Sequence, residues 1–229
     1  MSRNITAFLL LAVISCSPIR QYRQQPAVKS WESDIRKFER LDSTETYKSN
    51  AILFAGSSSI LLWSTLAHDM DPYPVIQRGY GGARLSDLAV YASRIIYPHP
   101  CRAIVMFVAN DITGNPDDKS PEEVARLFKF VLGTIRKKFP DTPVFWIATT
   151  PTPLRWAVWP RIREANQLIE EVSSKDKNAH FIATENVFLD KSGLPKGDLF
   201  RDDRLHLNSD GYAVWTGVIK KELNRVLGE

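Results

Sequence analysis

The sequence predicts a three-layer α/β sandwich around a mostly parallel five-stranded sheet. The first observation behind this prediction is a set of short, continuous apolar runs along the chain. Such runs are typical of strands that are covered on both faces, as in a parallel sheet. The second observation is that longer segments with helical character separate these runs throughout the chain. Strands that alternate with helices favour a parallel sheet with helices packed on its two faces.

The pattern predicts strands at 51–55, 75–76, 103–108, 143–149 and 179–183. The helices between and around them are predicted to start near Ser30 and to cover 60–66, 85–97, 121–139, 161–174 and 210–227. The helix after Ser120 has the strongest start signal, because Ser120-Pro121-Glu122-Glu123 combines a capping box with proline at the first helical position. The glycine-rich segment 78–84 is predicted to be a loop, and residues 185–207 are predicted to be mostly loop.

The N-terminus is predicted to be a targeting segment outside the fold. Arg3 precedes a largely apolar stretch, 5–14, that is too short to span a bilayer comfortably. Val13-Ile14-Ser15-Cys16 resembles a bacterial lipobox, which predicts a signal peptide at 1–15, lipidation of Cys16 and a membrane-anchored protein of the cell envelope. Ser17 after the cysteine points to the outer membrane of a two-membrane cell. The alternative is an ordinary secretory signal that is simply cleaved. Residues 16–29 are predicted to be a tether, and 30–229 the folded domain.

The composition fits one globular domain and gives no sign of nucleic-acid binding. Of the 229 residues, 44% are hydrophobic and 24% are charged, which is enough for one sizeable core. The formal net charge is +4, and the basic residues are scattered rather than interleaved with aromatic residues in runs. If Cys16 carries lipid, Cys101 is the single remaining thiol. The core, and not a disulfide, must then stabilise the fold.

A candidate nucleophile follows the first predicted strand. Gly56-Ser57-Ser58-Ser59 comes directly after the apolar run 51–55. Open parallel sheets bind their ligands just beyond the carboxyl ends of the strands, so a serine here would face a crevice. Taken alone, the stretch fits better as a polar cap for the next helix, because serine is a favoured N-cap residue.

His206 is the one of the four histidines with a well-placed acidic partner. Asp203 precedes it by three residues in a loop, and a turn brings positions i and i+3 to one side. Asp203 can then bind Nδ1 of His206 and leave Nε2 for a serine hydroxyl, as nucleophilic hydrolysis requires. Asp202 is the alternative carboxylate, and a simple surface contact is the alternative interpretation of the Asp–His pair.

Four polar segments, in order, resemble the SGNH family, also called GDSL-type esterases and lipases, in a variant branch with Gly-Ser-Ser-Ser. The similarity covers about residues 50–227, and its blocks match Gly56-Ser57-Ser58, the 78–82 loop, Val108-Ala109-Asn110-Asp111 and Asp203 to His206. The resemblance implies that Ser58 is the nucleophile, with Asp203 and His206 as its acid and base. It also implies an oxyanion hole made of the Ser58 N–H, the Gly82 N–H and the Asn110 side chain.

Two positions depart from the pattern of this family. Ser57 stands where the family more often has aspartate, and Val108 stands where it has glycine. Ser57 and Ser59 are alternative nucleophiles, since the register of the first block is open. The α/β-hydrolase fold is disfavoured, because the second glycine of Gly-x-Ser-x-Gly is missing after Ser58.

The resemblance implies a hydrolase of carboxylic esters that needs neither metal nor cofactor. The expected substrates are small acyl esters, O-acetyl groups on glycans or lysophospholipid-like lipids. The alternative is a non-catalytic carbohydrate- or lipid-binding surface module on the same scaffold. Trp156 and Trp159 are expected either to flank the cleft or to seal their loop against the sheet. Arg155 is expected either to meet an anionic group or to be a solvated surface residue.

Overall fold

The computed structural model of the protein describes residues 19–228 and contains one five-stranded sheet. All strand pairs are parallel, and the spatial order is β2-β1-β3-β4-β5. The strands are β1 (Ile52–Gly56), β2 (Val75–Gly79), β3 (Ala103–Phe107), β4 (Val144–Ile147) and β5 (Ala179–Ile182). The predicted α/β architecture with a five-stranded parallel sheet is confirmed.

The central strands form where the sequence is continuously apolar, because they are covered on both faces. Every residue of β1, β3 and β4 is buried, whereas the edge strands β2 and β5 include partly exposed residues. Ile52 of β1 pairs with Val75 of β2 and with Ala103 of β3. This register brings the carboxyl ends of the three strands level, so the loops that follow them meet at one edge of the sheet.

Ten α-helices surround the sheet in the part of the chain that the structure describes. One face is covered by α1 (Arg20–Arg23), α2 (Pro26–Lys29), α3 (Glu32–Thr44), α6 (Leu85–Ile96), α7 (Pro121–Lys138) and α8 (Trp159–Ser173). The other is covered by α4 (Ser58–Leu61), α5 (Leu66–Asp69), α9 (Glu185–Phe188) and α10 (Ser209–Leu227). Alternate residues of β1 enter the two hydrophobic clusters, with Leu53 in the first and Phe54 in the second. The result is a sheet between two helical layers.

The structure corrects the prediction of a tether for the residues that it describes between 19 and 29. These residues form α1 and α2, and their side chains Ile19, Tyr22 and Val28 are at most 5% exposed. The Tyr22 hydroxyl donates a hydrogen bond to Glu123 of α7, and the Tyr91 hydroxyl of α6 donates to the Val28 carbonyl. Burial of apolar surface and these hydrogen bonds attach the segment to the domain.

Three predicted helix starts differ in detail. Ser120 Oγ accepts from the Glu123 N–H at 3.2 Å, but the Glu123 side chain binds Tyr22, so the capping box is half formed. Ser30 does not cap α3; its hydroxyl donates to the Ala27 carbonyl at 2.7 Å, and Trp31 occupies the N-cap position. The segment predicted as one helix over 60–66 is divided between α4 and α5.

The predicted signal peptide at 1–15 and Cys16 lie outside the described residues. Between residues 19 and 228, no helix has both the length and the apolar character that crossing a membrane demands. Cys101, two residues before β3, is a partly buried free thiol that packs against the larger hydrophobic cluster. Burial raises the pKa of this thiol to about 11, so it is protonated at neutral pH.

Candidate active site

The candidate site lies beyond the carboxyl ends of β1 and β3. The chain leaves β1 for β2 on one side and later returns to β3 on the other, so this is the point at which the strand order reverses. Open α/β sheets bind ligands at such a switch point. Ser58 follows β1 and Asn110 follows β3, and His206 reaches the same edge from the loop before α10.

Ser58, His206 and Asp203 form one hydrogen-bonded chain. His206 Nε2 is 2.9 Å from Ser58 Oγ, and His206 Nδ1 is 2.7 Å from Asp203 Oδ2. Asp203 Oδ1 accepts from the backbone N–H groups of Leu205 and His206, both at 2.9 Å. Arg204 has φ = 59°, the left-handed conformation that lets this turn close. The aspartate thus fixes both the turn and the imidazole, with the second ring nitrogen directed at the serine.

Hydrogen bonds keep the Asp203 carboxylate ionised. Burial raises the pKa of Asp203, but hydrogen bonds from the His206 ring and from the His206 and Leu205 backbones outweigh that effect and bring the pKa to about 2. Asp203 is therefore negatively charged at neutral pH and can stabilise a protonated imidazole. Asp202, the alternative carboxylate, is exposed and makes no hydrogen bond to His206 among the contacts of residues 19–228.

The backbone distinguishes Ser58 from the serines on either side. The Ser57 N–H donates to the Phe107 carbonyl at 2.9 Å, which extends the β1–β3 pairing by one residue. Ser57 Oγ is buried and has no hydrogen-bond partner among the described residues. Ser59 is 8% exposed, and its carbonyl accepts from the Tyr212 hydroxyl at 2.9 Å. The hydrogen bond to His206 is made by Ser58, so the geometry favours Ser58 over the two alternative nucleophiles.

The loops of Asn110 and Gly82 are joined by a hydrogen bond. Asn110 Nδ2 donates to the Ala83 carbonyl at 2.9 Å. Gly82 has φ = +72°, and its backbone N–H, like that of Ser58, has no acceptor within the described part of the chain. Unpaired backbone N–H groups and a side-chain amide are the donors that an oxyanion hole uses. The Tyr80 N–H donates to the Gly56 carbonyl at 3.0 Å, which holds the second loop beside β1.

The cleft around Ser58 is small and has a closed apolar floor. Its volume is about 20 Å³, and Ser58, Asn110 and His206 line its polar side. The floor consists of buried apolar side chains: Phe107, Phe200, Leu207 and Trp215. Trp215 is held by a hydrogen bond from its Nε1 to Thr150 Oγ1 at 3.1 Å. Gly82 is outside the lining of this cleft, so its predicted role rests on its neighbour Ala83 and its unpaired N–H.

Arg155 lies inside the site, so the expectation of a solvated surface residue is wrong, and contact with an anionic group stays a prediction. Its side chain is buried, with Nη1 donating to the Ala109 carbonyl at 2.5 Å and Nη2 donating to Asn110 Oδ1 at 2.8 Å. Burial lowers the pKa of this guanidinium from its usual value. Nothing in the sequence marks this loop arginine for burial, because its partners are a backbone carbonyl and an amide 45 residues away.

Trp156 and Trp159 pack against the core and are not among the cleft residues. Their rings are nearly parallel, with centroids 6.1 Å apart, and Trp159 is buried at the start of α8. The structure therefore favours the interpretation that these residues seal their loop against the sheet. Elsewhere in residues 19–228, no group of three or more His, Cys, Asp or Glu side chains is arranged to hold a metal ion.

A buried polar cluster supports the loop of Gly82. Asp111 Oδ2 accepts from the Leu85 N–H at 2.8 Å, and Asp111 Oδ1 is 3.2 Å from Lys119 Nζ. Asp87 accepts from the Arg84 N–H at 2.8 Å at the start of α6. Burial raises the pKa of Asp87 to about 6, against the lowering effect of the hydrogen bond from Arg84. The loop after β2 is thus held by two buried carboxyl groups.

Asp87→Asn is expected to change how stability depends on pH. The Asp87 carboxyl binds its proton more tightly in the folded state, with a pKa of about 6, than in the unfolded state, near 3.8. The contribution of Asp87 to the free energy of unfolding should therefore fall as pH rises between these values. Asparagine cannot ionise and can still accept from Arg84, so the variant should gain on the order of 1–3 kcal/mol relative to the wild type at neutral pH. Urea unfolding across this pH range measures the difference, and parallel pH profiles would contradict it.

The strand order places the serine after β1 and the His–Asp pair together at a switch point of a parallel α/β sheet. The model of the GDSL-like lipase/acylhydrolase family matches residues 44–214. The chain belongs to this family. Membership supports ester hydrolysis as the general class of reaction, in agreement with the resemblance in the sequence.

Solved structures share the fold at low sequence identity. A candidate platelet activating factor from Streptococcus pneumonia aligns with a TM-score of 0.74 at 20% identity, over 86% of this chain and 94% of its own. A GDSL-like lipase from Bacteroides thetaiotaomicron aligns with a TM-score of 0.68 at 12% identity, over 84% and 98%. An acetyl esterase variant solved with an acetate ion aligns with a TM-score of 0.63 at 14% identity, over 78% and 98%. Comparison with curated protein sequences gives no match.

Proposed function

We propose that the protein hydrolyses carboxylic esters by acyl transfer through Ser58. The observation that carries the proposal is the hydrogen-bonded chain from Ser58 through His206 to Asp203. A hydroxyl with a base in hydrogen-bond reach, and a base oriented by a carboxylate, is the arrangement that activates a serine nucleophile. Membership of an acylhydrolase family supports the same reaction class.

In the proposed reaction, Ser58 Oγ attacks the ester carbonyl carbon while His206 Nε2 takes its proton. Asp203 stabilises the imidazolium that results. The Ser58 N–H, the Gly82 N–H and Asn110 Nδ2 donate to the oxyanion of the tetrahedral intermediate. The intermediate expels the alcohol, which receives the proton from His206. Water then attacks the acyl-enzyme with His206 as base, and the acid and free Ser58 are released.

The cleft supports a short acyl group as the substrate's acid part. A volume of about 20 Å³ is close to what one water molecule or one methyl group needs. Phe107, Leu207 and Trp215 are at most 3% exposed, so a longer chain would have to displace packed side chains to enter the floor or leave the cleft through its open side. Acetyl esters, with glycan O-acetyl groups among them, therefore fit better than lysophospholipids, whose acyl chain is long. An acetyl esterase with the same fold agrees with this preference.

Hydrolysis of aryl esters of increasing acyl length tests the reaction and the acyl preference together. The wild type should hydrolyse the acetate, with kcat/KM at least about tenfold lower for the butyrate and lower still for the octanoate. Ser58→Ala is the matched control. Equal rates for the two proteins on every ester, acetylated glycans included, would contradict the hydrolase and leave the binding-module alternative. A preference for octanoate would contradict the short acyl group alone.

The second part of the proposal is that a lipid on Cys16 anchors the protein in the cell envelope. Ile19, three positions later, is 3% exposed and packs in the core. Because so few residues separate Cys16 from the core, such an anchor would hold the domain close to the bilayer. Cys16→Ser in the full chain should move the protein from the membrane fraction to the soluble fraction. Unchanged partitioning would contradict the lipid anchor without affecting the proposed hydrolysis.

A further inference from the structure

Arg155 is a buried cation that lines the candidate cleft and makes no ion pair among the described residues. It is 8% exposed. Asp118 and Asp111 act on this guanidinium through their charges, but burial outweighs them and lowers its pKa. Burying a charge without a directly paired carboxylate is costly, and proteins retain such groups where they have a specific task. Its hydrogen bonds go to the backbone of Ala109 and the side chain of Asn110, next to the proposed oxyanion site.

These contacts fix which way the Asn110 amide faces. A guanidinium can only donate hydrogen bonds, so the Asn110 atom 2.8 Å from Arg155 Nη2 must be the oxygen. On the other side, the Ala83 carbonyl can only accept, so its partner at 2.9 Å must be Nδ2. One Nδ2 hydrogen is occupied by Ala83, and the second is left for the cleft that Asn110 lines.

The same arginine loop is also connected to the loop of the proposed base. The Leu154 N–H donates to the Arg204 carbonyl at 3.0 Å, two residues before His206. The Arg155 N–H donates to Thr152, which closes a tight turn within the loop. The loop therefore links the strand end that carries Asn110 to the turn that carries Asp203 and His206.

We propose that Arg155 is a positioning residue that holds the Asn110 amide in the orientation that donates to the oxyanion. The proposal rests on the proposed hydrolase function of the site. A charge-assisted bond to Oδ1 also polarises the amide, which makes its N–H groups stronger donors. Arg155 also lines the cleft, but in this proposal it acts through Asn110 and not on the substrate.

Steady-state kinetics of Arg155→Met with an aryl acetate test this role. Methionine fills similar apolar space without a donor, and Arg163→Met is the control, because Arg163 is an exposed arginine on α8 paired with Glu185. We expect Arg155→Met to lower kcat by about 10–100-fold with little change in KM. This is the typical loss when a residue that orients an active-site group through a hydrogen bond is removed. Asn110→Ala should lower kcat by about 100–1000-fold. The double variant should be no more than about twofold slower than Asn110→Ala, since both changes remove one interaction.

Two kinetic results would overturn the proposal. Losses that multiply in the double variant would show that Arg155 does not act through Asn110. A rise in KM at unchanged kcat would instead show that Arg155 binds an anionic part of the substrate. If Arg155→Met fails to fold, Arg155→Lys replaces it, because lysine keeps the charge but cannot bridge Ala109 and Asn110 with the same fork of donors.

Side-chain amide NMR of the ¹⁵N-labelled protein tests the orientation without any turnover. The Asn110 side-chain resonances are identified by their loss in Asn110→Ala. They should shift in Arg155→Met and stay in place in Arg163→Met. Unchanged resonances in Arg155→Met would overturn the positioning role even if hydrolysis falls. A wild type that hydrolyses no ester would overturn the proposed function, and the amide shifts would still decide the role of Arg155.

Discussion

Replacing Ser58 with alanine is expected to lower kcat for ester hydrolysis by about 10⁴- to 10⁶-fold. The change removes the hydroxyl that lies 2.9 Å from His206 Nε2, so no acyl-enzyme can form. The oxyanion donors are kept. The Ser58 side chain is half-buried, and its hydroxyl makes a hydrogen bond with His206. The free energy of unfolding should therefore change by less than about 1 kcal/mol. Initial rates with an aryl acetate and urea unfolding measure the two effects.

The neighbouring serines provide matched controls for this prediction. Ser57→Ala removes a buried hydroxyl that has no partner among the described residues, so stability should stay equal or rise. Ser57→Ala and Ser59→Ala should both keep kcat within about tenfold of the wild type, since neither hydroxyl contacts the base. An inactive Ser57→Ala or Ser59→Ala beside an active Ser58→Ala would reassign the nucleophile. Mass spectrometry after reaction with a phosphonate inhibitor would identify the modified serine directly.

Local patterns in the sequence were sufficient for the sheet and for the Asp203–His206 pair. The strands are continuous apolar runs, and their burial on both faces follows from that composition. The pair lies within one turn, so its geometry depends on a three-residue spacing and not on the rest of the fold. The meeting of Ser58 with His206 joins residues 148 positions apart. Only the order of the strands, or resemblance to a family, could anticipate it.

Features that depend on tertiary packing were missed for a physical reason. The segment before residue 30 is polar and contains Pro18 and Pro26, which predicts a tether. Its apolar residues Ile19, Tyr22 and Val28 show no regular spacing that would indicate a buried face. The structure buries all three on the helical layer. Arg155 was missed because burial of a single arginine depends on acceptors from another loop. In both cases the partners lie far away in the sequence, where periodicity and capping signals carry no information.

Gly56→Ala is expected to destabilise the protein by about 4 kcal/mol or more and to lower activity with it. Gly56 has φ = +148°, and a Cβ there would lie 1.9 Å from the Phe107 carbonyl oxygen. That carbonyl is fixed by the Ser57 N–H, which donates to it at 2.9 Å. A backbone carbonyl cannot move out of the way as the end of a flexible side chain can. β1 and β3 would therefore have to separate at Gly56, two residues before Ser58. Urea unfolding and aryl acetate hydrolysis of the variant measure both losses.

Gly217→Ala is the matched control, because it makes the same chemical change where the backbone is helical and open. Gly217 lies on α10, and a Cβ there would meet nothing within 4 Å. Alanine is favoured over glycine inside a helix, so this variant should gain roughly 0.5–1 kcal/mol. Opposite signs for the two variants would assign the loss at Gly56 to its positive φ and its close approach to β3, and not to the added methyl group as such. If Gly56→Ala unfolds at the wild-type urea concentration and retains full activity, the close approach of β1 to β3 does not position Ser58. The start of α4 and the hydrogen bond to His206 would then have to hold the serine without it.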